Sequence, residues 1–447
     1  MPEHPPTILI LGGGFAGAYC AQELERRLGP AAASVVLVDR QNYFIFHPLL
    51  IEAGTGSLEP RHAVVPIRSF IRRGRFIMGE AVGVDWAASQ AEVLPAESSE
   101  TIRVPFDHLV IALGSVTRLP EVPGLREHGL EMKSLADAVG LRDRAIRMLE
   151  AAESAPQPER KCSLLHFVVV GANFTGAEVA GELEAFLRAA IRRYRTIRPH
   201  DLRVTLVERS GRILGALDEN LSRYAERKMR ARGIDVRLND SVTRIEPRRV
   251  TLASGEALHA ETVVWAAGIA PPPMLAHLGL PLDARGYLVC DRDLRVQGRP
   301  NVWGIGDAAV NTDAAGVAYP ATAQHAIREG VHAARNIAAV SRGQPTTPCD
   351  IVSQGSLAAL GCRTGVANVF GIKLSGFAAW WLWRTVYLLK MPGVARKLRV
   401  AIDWTLELLF RRDYVQLGVH QPPRSGTSNP PPSLSSQSAA PPLRQTT

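Results

Sequence analysis

Thr7-Ile-Leu-Ile-Leu11, followed by Gly12, Gly13, Gly14, Phe15, Ala16 and Gly17, decides the fold. Five apolar or β-branched residues predict a buried strand, the glycines a tight turn, and residues 18–28 continue with a helical pattern. In such a unit Gly12 permits the turn, Gly14 lets a pyrophosphate approach the backbone, and Gly17 lets helix pack closely on strand. The helix N-terminus adds N–H donors and the positive end of its dipole. A second predicted strand, Ser34-Val-Val-Leu-Val38, ends in Asp39, where this fold needs a carboxylate to accept from an adenosine ribose. An ordinary strand–turn–helix without a ligand is the plainer alternative.

The theme recurs at His166-Phe-Val-Val-Val170, then Gly171, Ala172, Asn173, Phe174, Thr175 and Gly176, with a helix over 177–188. A strand over 202–207 ends in Glu208, which would accept from both ribose hydroxyls and repel a 2′-phosphate, favouring NADH; the neighbouring Arg209 weakens that preference. Asn173 stands where the middle glycine belongs and is expected to carry its side chain toward the phosphates. Phe106-Asp-His-Leu-Val-Ile-Ala-Leu-Gly114 and Thr262-Val-Val-Trp-Ala-Ala-Gly268 both read as apolar strands ending in small residues. A whole module is thus duplicated, which predicts two nucleotide cofactors working together.

Between the repeats, Gln41-Asn-Tyr-Phe-Ile-Phe-His47-Pro-Leu-Leu50 suits a loop laid against a flat ring system, or a plain loop over the core. Arg75-Phe-Ile-Met78 leads to Val82, whose backbone is expected to meet an adenine. Asn301-Val-Trp-Gly-Ile-Gly-Asp307 puts a carboxylate at a strand's carboxyl end, where ligands collect in such sheets; a surface N-cap is the alternative. The helix that follows, to Val340, contains Ala323 and Gln324 and should aim its N–H groups where Asp307 points.

The 447 residues imply two or three domains of ordinary globular composition. A net charge of +9 comes from mixed signs without a Lys/Arg-rich run, so no nucleic-acid partner is expected. The five cysteines are scattered without C-x-x-C spacing, which argues against a disulfide framework, a metal site or a redox dithiol. Residues 1–6 hold no secretory core, so a cytosolic start is expected. Near the end, residues 376–391 are dense in aromatics but, at 1.5 Å per residue, reach only about 24 Å, short of a hydrocarbon core of about 30 Å. A second helix over 396–412 carries a polar stripe of Arg399, Asp403, Glu407 and Arg411 beside apolar rows that include Leu398, Ile402, Leu406 and Phe410. Cations flank both helices. The pair reads as an interfacial membrane anchor, or as a dimerisation or core-packing pair. From Val419 the Pro/Ser-rich tail is expected to be disordered.

These motifs together make the chain, to about Leu417, resemble the type II (non-proton-pumping) NADH:quinone oxidoreductases. The resemblance rests on the first glycine loop, the Pro48-Leu-Leu50 and Thr55-Gly56 loop, and Gly171, Thr175, Gly176, Glu178, Gly181 and Glu182 of the second. Trp265-Ala-Ala-Gly268, Gly304-Ile-Gly-Asp307, Ala323-Gln324 and the Trp-rich tail carry it further. It implies an α/β fold of two Rossmann-like dinucleotide-binding domains plus an amphipathic C-terminal membrane anchor. The expected division is a FAD domain from 1–118 and 281–345, an NADH domain over 119–280, an anchoring region over 346–417 and a tail over 418–447.

It further implies FAD held by residues including Asp39, Arg40, Val82, Gly114, Asp307 and Ala323, and NADH held by the second loop with Glu208 and Gly268. Glu178 resembles the family's active-site acid and Gln324 the glutamine at the quinone end of the ring. A first-turn Glu that merely favours the helix dipole is the alternative for Glu178. The family's second glutamine is here Arg328, a departure bearing on acceptor recognition. Implied partners are a membrane quinone and the bilayer surface at the cytoplasmic face of the cell membrane; a homodimer stays open. Competing expectations are a soluble reductase of a ferredoxin-like carrier, a non-catalytic redox-sensing flavoprotein and, less favoured for want of a placed cysteine pair, a sulfide:quinone oxidoreductase.

Overall fold

The opening strand forms over Thr7–Leu11 and lies inside a seven-stranded sheet. The structure, a computed structural model, describes residues 5–29 and 32–418. Across the sheet the order is Val302–Gly304, His108–Ile111, Thr7–Leu11, Ser34–Asp39, Arg75–Asp85, Gln90–Pro95 and Ile102–Pro105. The first five run parallel and the last two turn antiparallel. Ile8, Leu9, Ile10 and Leu11 are completely buried, which is why this strand reads as an unbroken apolar run rather than an alternation. The helix Phe15–Arg27 starts inside the glycine run, earlier than its apolar pattern indicates.

A second, all-parallel sheet has the order Gly129–Leu130, Thr262–Trp265, His166–Val170, Arg203–Val207 and Ile234–Arg237. Strand for strand this repeats the parallel part of the first sheet: edge, small-residue strand, glycine-loop strand, acid strand, next neighbour. The duplication therefore extends to the whole module. Where the chain passes between the sheets, Val116–Thr117 pairs antiparallel with Ile269–Ala270, so the loops following Gly114 and Gly268 meet.

The C-terminal region differs from expectation in one respect. Before its helices come three antiparallel strands, Gly355–Ala359, Gly365–Val369 and Ile372–Gly376. Ala, Gly and Ser have low strand propensity, so composition hides a sheet that pairing and packing create. The helices are Phe377–Lys390 and Val394–Leu409. Trp380, Trp383 and Trp404 turn into the core, whereas Trp381, Leu389, Leu398 and Leu409 face outward. Among the described residues no helix is long and apolar enough to cross a membrane. The tail from Val419 lies outside the described residues.

Candidate functional site

The two glycine loops are tied to their acids in the same way. Gly13 N–H donates to Asp39 Oδ2 at 2.6 Å, and Ala172 N–H donates to Glu208 Oε2 at 2.6 Å. Each acid's other oxygen accepts from the residue two further on: Gln41 N–H to Asp39 at 2.7 Å, Ser210 N–H to Glu208 at 2.8 Å. Glu208 accepts a third bond, from Ser210 Oγ at 2.8 Å; carboxylate oxygens have about four acceptor positions between them, so Asp39 keeps more capacity for ribose hydroxyls than Glu208 does. Burial raises the Asp39 carboxyl above its usual range against the pull of these N–H groups.

Glycine is obligatory at the loops' inner corners. A Cβ on Gly17 would sit 1.8 Å from the Gly12 carbonyl oxygen, and one on Gly176 would sit 1.7 Å from that of Gly171. A Cβ on Gly14 would meet nothing within 4 Å. No protein contact demands glycine there, which fits a position kept clear for a phosphate.

Asn173, in the corresponding place, corrects an expectation. Its side chain does not reach out toward phosphate. It accepts from Gly176 N–H at 3.0 Å as an N-cap and donates to the Ala266 carbonyl at 3.0 Å, with ordinary extended backbone. Thr175 is exposed on the same first turn.

Around the first loop the remaining residues converge. Val82 falls at a bulge where the ladder steps from Ala81 to Gly83, leaving its backbone without a partner on the neighbouring strand. Arg40, by contrast, lies on the surface 3.7 Å from Glu80. Asp307 follows Val302–Gly304 and accepts from Ser115 Oγ at 2.9 Å; Lys133 Nζ donates to that same hydroxyl at 3.0 Å. Ser115 directly follows Gly114 at the end of the closing strand. The Asp307 loop is held from below by Glu329, which accepts from Gly306 N–H at 2.7 Å and Asn311 at 2.8 Å. Burial pushes the Glu329 carboxyl up to about 7. The helix Ala323–Val340 begins beside this loop without a side-chain cap. It packs on the opening helix so tightly that a Cβ on Gly330 would lie 2.2 Å from the Ala16 carbonyl oxygen.

In the aromatic loop at 41–50 two rings turn inward. Phe44 and Phe46 are buried in the core, with Phe44 4.8 Å from the Phe15 ring, because apolar rings gain more from burial than from a surface position.

Gln324 and Arg328 share a task that the sequence did not announce. The Gln324 amide accepts from Gln354 N–H at 3.1 Å and donates to the Gly355 carbonyl at 3.1 Å, while Arg328 donates to the Val352 carbonyl. Both pin the segment entering the C-terminal sheet. Glu178, on the helix Phe174–Ala190, accepts from Ala359 N–H at 3.1 Å in that sheet. Burial, reinforced by the nearby Glu182 and Glu52 carboxylates, pushes Glu178 up to about 8.

Beside it lies a buried charge network in which Glu182 of the second glycine motif and Glu407 of the polar stripe meet Glu52, Arg384 and Arg412. Glu52 accepts from Trp404 Nε1 at 2.7 Å and lies 3.3 Å from Arg384. Arg384 also pairs with Glu407 at 2.6 Å and sits 4.5 Å and 4.7 Å from the Trp380 and Trp404 ring centroids. Arg412 joins Glu407 at 2.5 Å and lies 3.6 Å from Glu182. Burial pushes Glu52 up to about 7, whereas Arg412 and Arg384 hold Glu407 below the usual carboxylate range. The two acids of the last helix's polar stripe thus face the protein, while Arg399 and Arg411 stay exposed: Asp403 likewise accepts from Glu59 N–H and meets His62 at 2.5 Å.

Comparison with known proteins agrees with this geometry. The family model for pyridine nucleotide-disulphide oxidoreductases matches residues 6–330, and that for the NDH2 C-terminal domain matches residues 353–413. The chain is 32% identical to demethylphylloquinone reductase NdbB of Synechocystis sp., covering 90% of this chain and 96% of that protein. It is 28% identical to the type II NADH:quinone oxidoreductase Ndh of Mycobacterium tuberculosis, over 92% and 91% of the two chains. The structure of NDH2 from Plasmodium falciparum in complex with NADH has the same fold, with a TM-score of 0.84 at 20% identity over 92% of this chain and 100% of that one. With two matched nucleotide cradles and the NDH2 C-terminal domain, the chain belongs to the pyridine nucleotide-disulphide oxidoreductases and, among them, to the type II NADH:quinone oxidoreductases.

Proposed function

We propose that this chain oxidises NADH bound on the second module and delivers two electrons to a membrane quinone through FAD bound on the first. The observation that carries the reading is the doubled cradle, each glycine loop fixed to its own acid by the same pair of backbone bonds. In the first cradle Gly12, Gly13, Gly14 and Gly17 would take the pyrophosphate, Asp39 the adenosine ribose, Val82 the adenine, and Asp307 the hydroxylated linker. FAD, when bound, supplies the two-electron carrier between nicotinamide and quinone.

The chain's own residues provide position and a proton. Glu208 selects the nucleotide by holding its carboxylate beside the second loop. Ser115 and Lys133 fix the orientation of Asp307. Forming a quinol takes two electrons and two protons; Glu178, with its carboxyl up at about 8, holds a proton at neutral pH for one quinone oxygen.

The apolar helix face is the docking surface. Leu398, Leu406 and Leu409 are exposed while the stripe of Asp403 and Glu407 is spent on the body, an inversion that a purely soluble helix pair would not need. On this reading the enzyme sits peripherally on a membrane, and the side proposed for it is the cytoplasmic face of the cell membrane. Stopped-flow oxidation of the NADH-reduced holoenzyme by a short-chain quinone tests the reading: rapid reoxidation is expected. Rapid reduction by NADH without quinone reoxidation would refute it.

A further inference from the structure

Beside the C-terminal helices is a hollow of about 430 Å³ whose walls are unusually cationic. Two of its arginines, Arg384 and Arg412, are neutralised by Glu407 and Glu182. Four others, Arg192, Arg193, Arg363 and Arg411, line the same hollow and make no ion pair among the described residues. They converge from three separate parts of the chain. Arg192 and Arg193 follow the helix Phe174–Ala190, Arg411 follows the helix Val394–Leu409, and Arg363 lies on the turn between strands Gly355–Ala359 and Gly365–Val369.

That turn holds Gly361, Cys362 and Arg363 all at positive φ, at 76°, 47° and 55°. Two non-glycine residues in the left-handed region persist only where surroundings hold them. Arg232 does so, donating to the Gly181 carbonyl at 2.7 Å and to that of Leu360. Tyr414 reports the convergence: burial raises its hydroxyl, and Arg412, Arg193, Arg192 and Arg411 all act against that rise. Four clustered guanidiniums repel one another, and a phosphate accepted by their planar forks removes the repulsion.

The rim says which phosphate. Leu408 and Phe410 line the hollow and are more than half exposed, continuing the apolar helix face. An anion that entered here would have apolar surface beside its other end. We propose that this hollow is a headgroup site for an anionic phospholipid, with the phosphate held by Arg192, Arg193, Arg363 and Arg411 and the acyl chains lying toward Leu408 and Phe410. The proposal rests on the membrane-docking reading above and adds headgroup selectivity to it.

The test is co-sedimentation of the full-length holoenzyme with vesicles of phosphatidylcholine alone or with phosphatidylglycerol added. The double variant Arg192→Gln/Arg411→Gln is compared with Arg396→Gln/Arg399→Gln, which removes two cations from the same region outside the hollow. NADH oxidation with a water-soluble quinone confirms that each variant is folded. The wild type should prefer the anionic vesicles, and the hollow variant should lose about 30-fold more in partitioning to them than the control pair does, as two charge-assisted phosphate contacts warrant. Its binding to phosphatidylcholine should stay unchanged, and the control pair should lose distinctly less. Equal losses in both pairs would reduce the effect to general surface charge and overturn the site. Wild-type binding that is the same with and without phosphatidylglycerol would overturn it while leaving the anchor intact; binding to neither vesicle would refute the anchor itself. Stabilisation by inorganic phosphate that depends on Arg192 and Arg411, without vesicle preference, would make the hollow a free-anion site and overturn the lipid assignment.

Discussion

Replacing Arg384 by Met would remove a guanidinium that faces Trp380 and Trp404 at 4.5 Å and 4.7 Å, yet keep most of the side chain's apolar volume. What remains is Glu52 and Glu407 in a buried site, with Arg412 as the surviving cation near Glu407. Breaking a buried pair by deleting one partner costs roughly 3–5 kcal/mol. An unfolding entropy of about 2.1 cal/mol/K per residue over a chain this long turns that into a fall in Tm of about 3–5 °C if the chain unfolds as one unit.

The pH dependence separates a charge effect from a packing effect. Native Glu52 has its pKa raised to about 7 from an ordinary 4.5, so between these values the native state binds more protons than the unfolded chain. Stability from this group is therefore greatest at low pH and is lost as pH rises through about 7. Without Arg384 the ionised form of Glu52 loses its attracting neighbour, its pKa rises further, and the deficit grows with pH. Differential scanning fluorimetry across about pH 5 to about pH 8 should show a small deficit at the acid end and the full one at the alkaline end. Adding Glu52→Gln should recover part of it. An equal deficit at both ends, or a shift below about 1 °C, would refute the argument that ionic pairing rather than packing joins these helices to the body.

The other expectations concern the nucleotide sites and the membrane face. Gly17→Ala places a Cβ 1.8 Å from the Gly12 oxygen, so the purified protein should carry almost no flavin absorbance; normal flavin content would contradict the cradle geometry. Glu178→Gln should keep FAD yet slow quinone-linked turnover roughly a hundredfold. Because the wild-type carboxyl is protonated below about 8, its rate should fall on the alkaline side of that value, a limb absent from the variant. Glu208→Gln keeps an acceptor for Ala172 N–H but loses the charge that repels a 2′-phosphate, so the NADPH-to-NADH ratio of kcat/KM should rise about tenfold; an unchanged ratio would point to another selector. Leu398→Gln/Leu406→Gln/Leu409→Gln alters only exposed positions and should release the protein from vesicles with Tm within about 2 °C of wild type. Deleting the helices is the poorer test, since Trp380, Trp383 and Trp404 would leave a hole in the core.

Local sequence was enough wherever chemistry acts over short spans. Gly17 and Gly176 are dictated by the carbonyls of Gly12 and Gly171 one turn back, Gly12 and Gly171 by the left-handed turn itself at φ of 103° and 92°, and Asp39 and Glu208 by the end of a strand whose neighbour is the glycine loop. Two such units in one chain are visible as a repeat, and the parallel parts of the two sheets share one strand order. Features built from distant segments were not legible. The side-chain direction of Asn173 is set by a carbonyl 93 positions away, and Gln324 is occupied by a segment about 30 residues on. The stripe of Asp403 and Glu407 looks like a solvent face in a helical projection, because periodicity gives the division between two faces but not which one meets water. Glu59, His62 and Arg384 are what turn that stripe inward and leave the leucines outside. The sequence by itself determined two nucleotide cradles and an amphipathic end; tertiary structure decided which face of that end is free, since burying a carboxylate requires partners that only the folded body brings together.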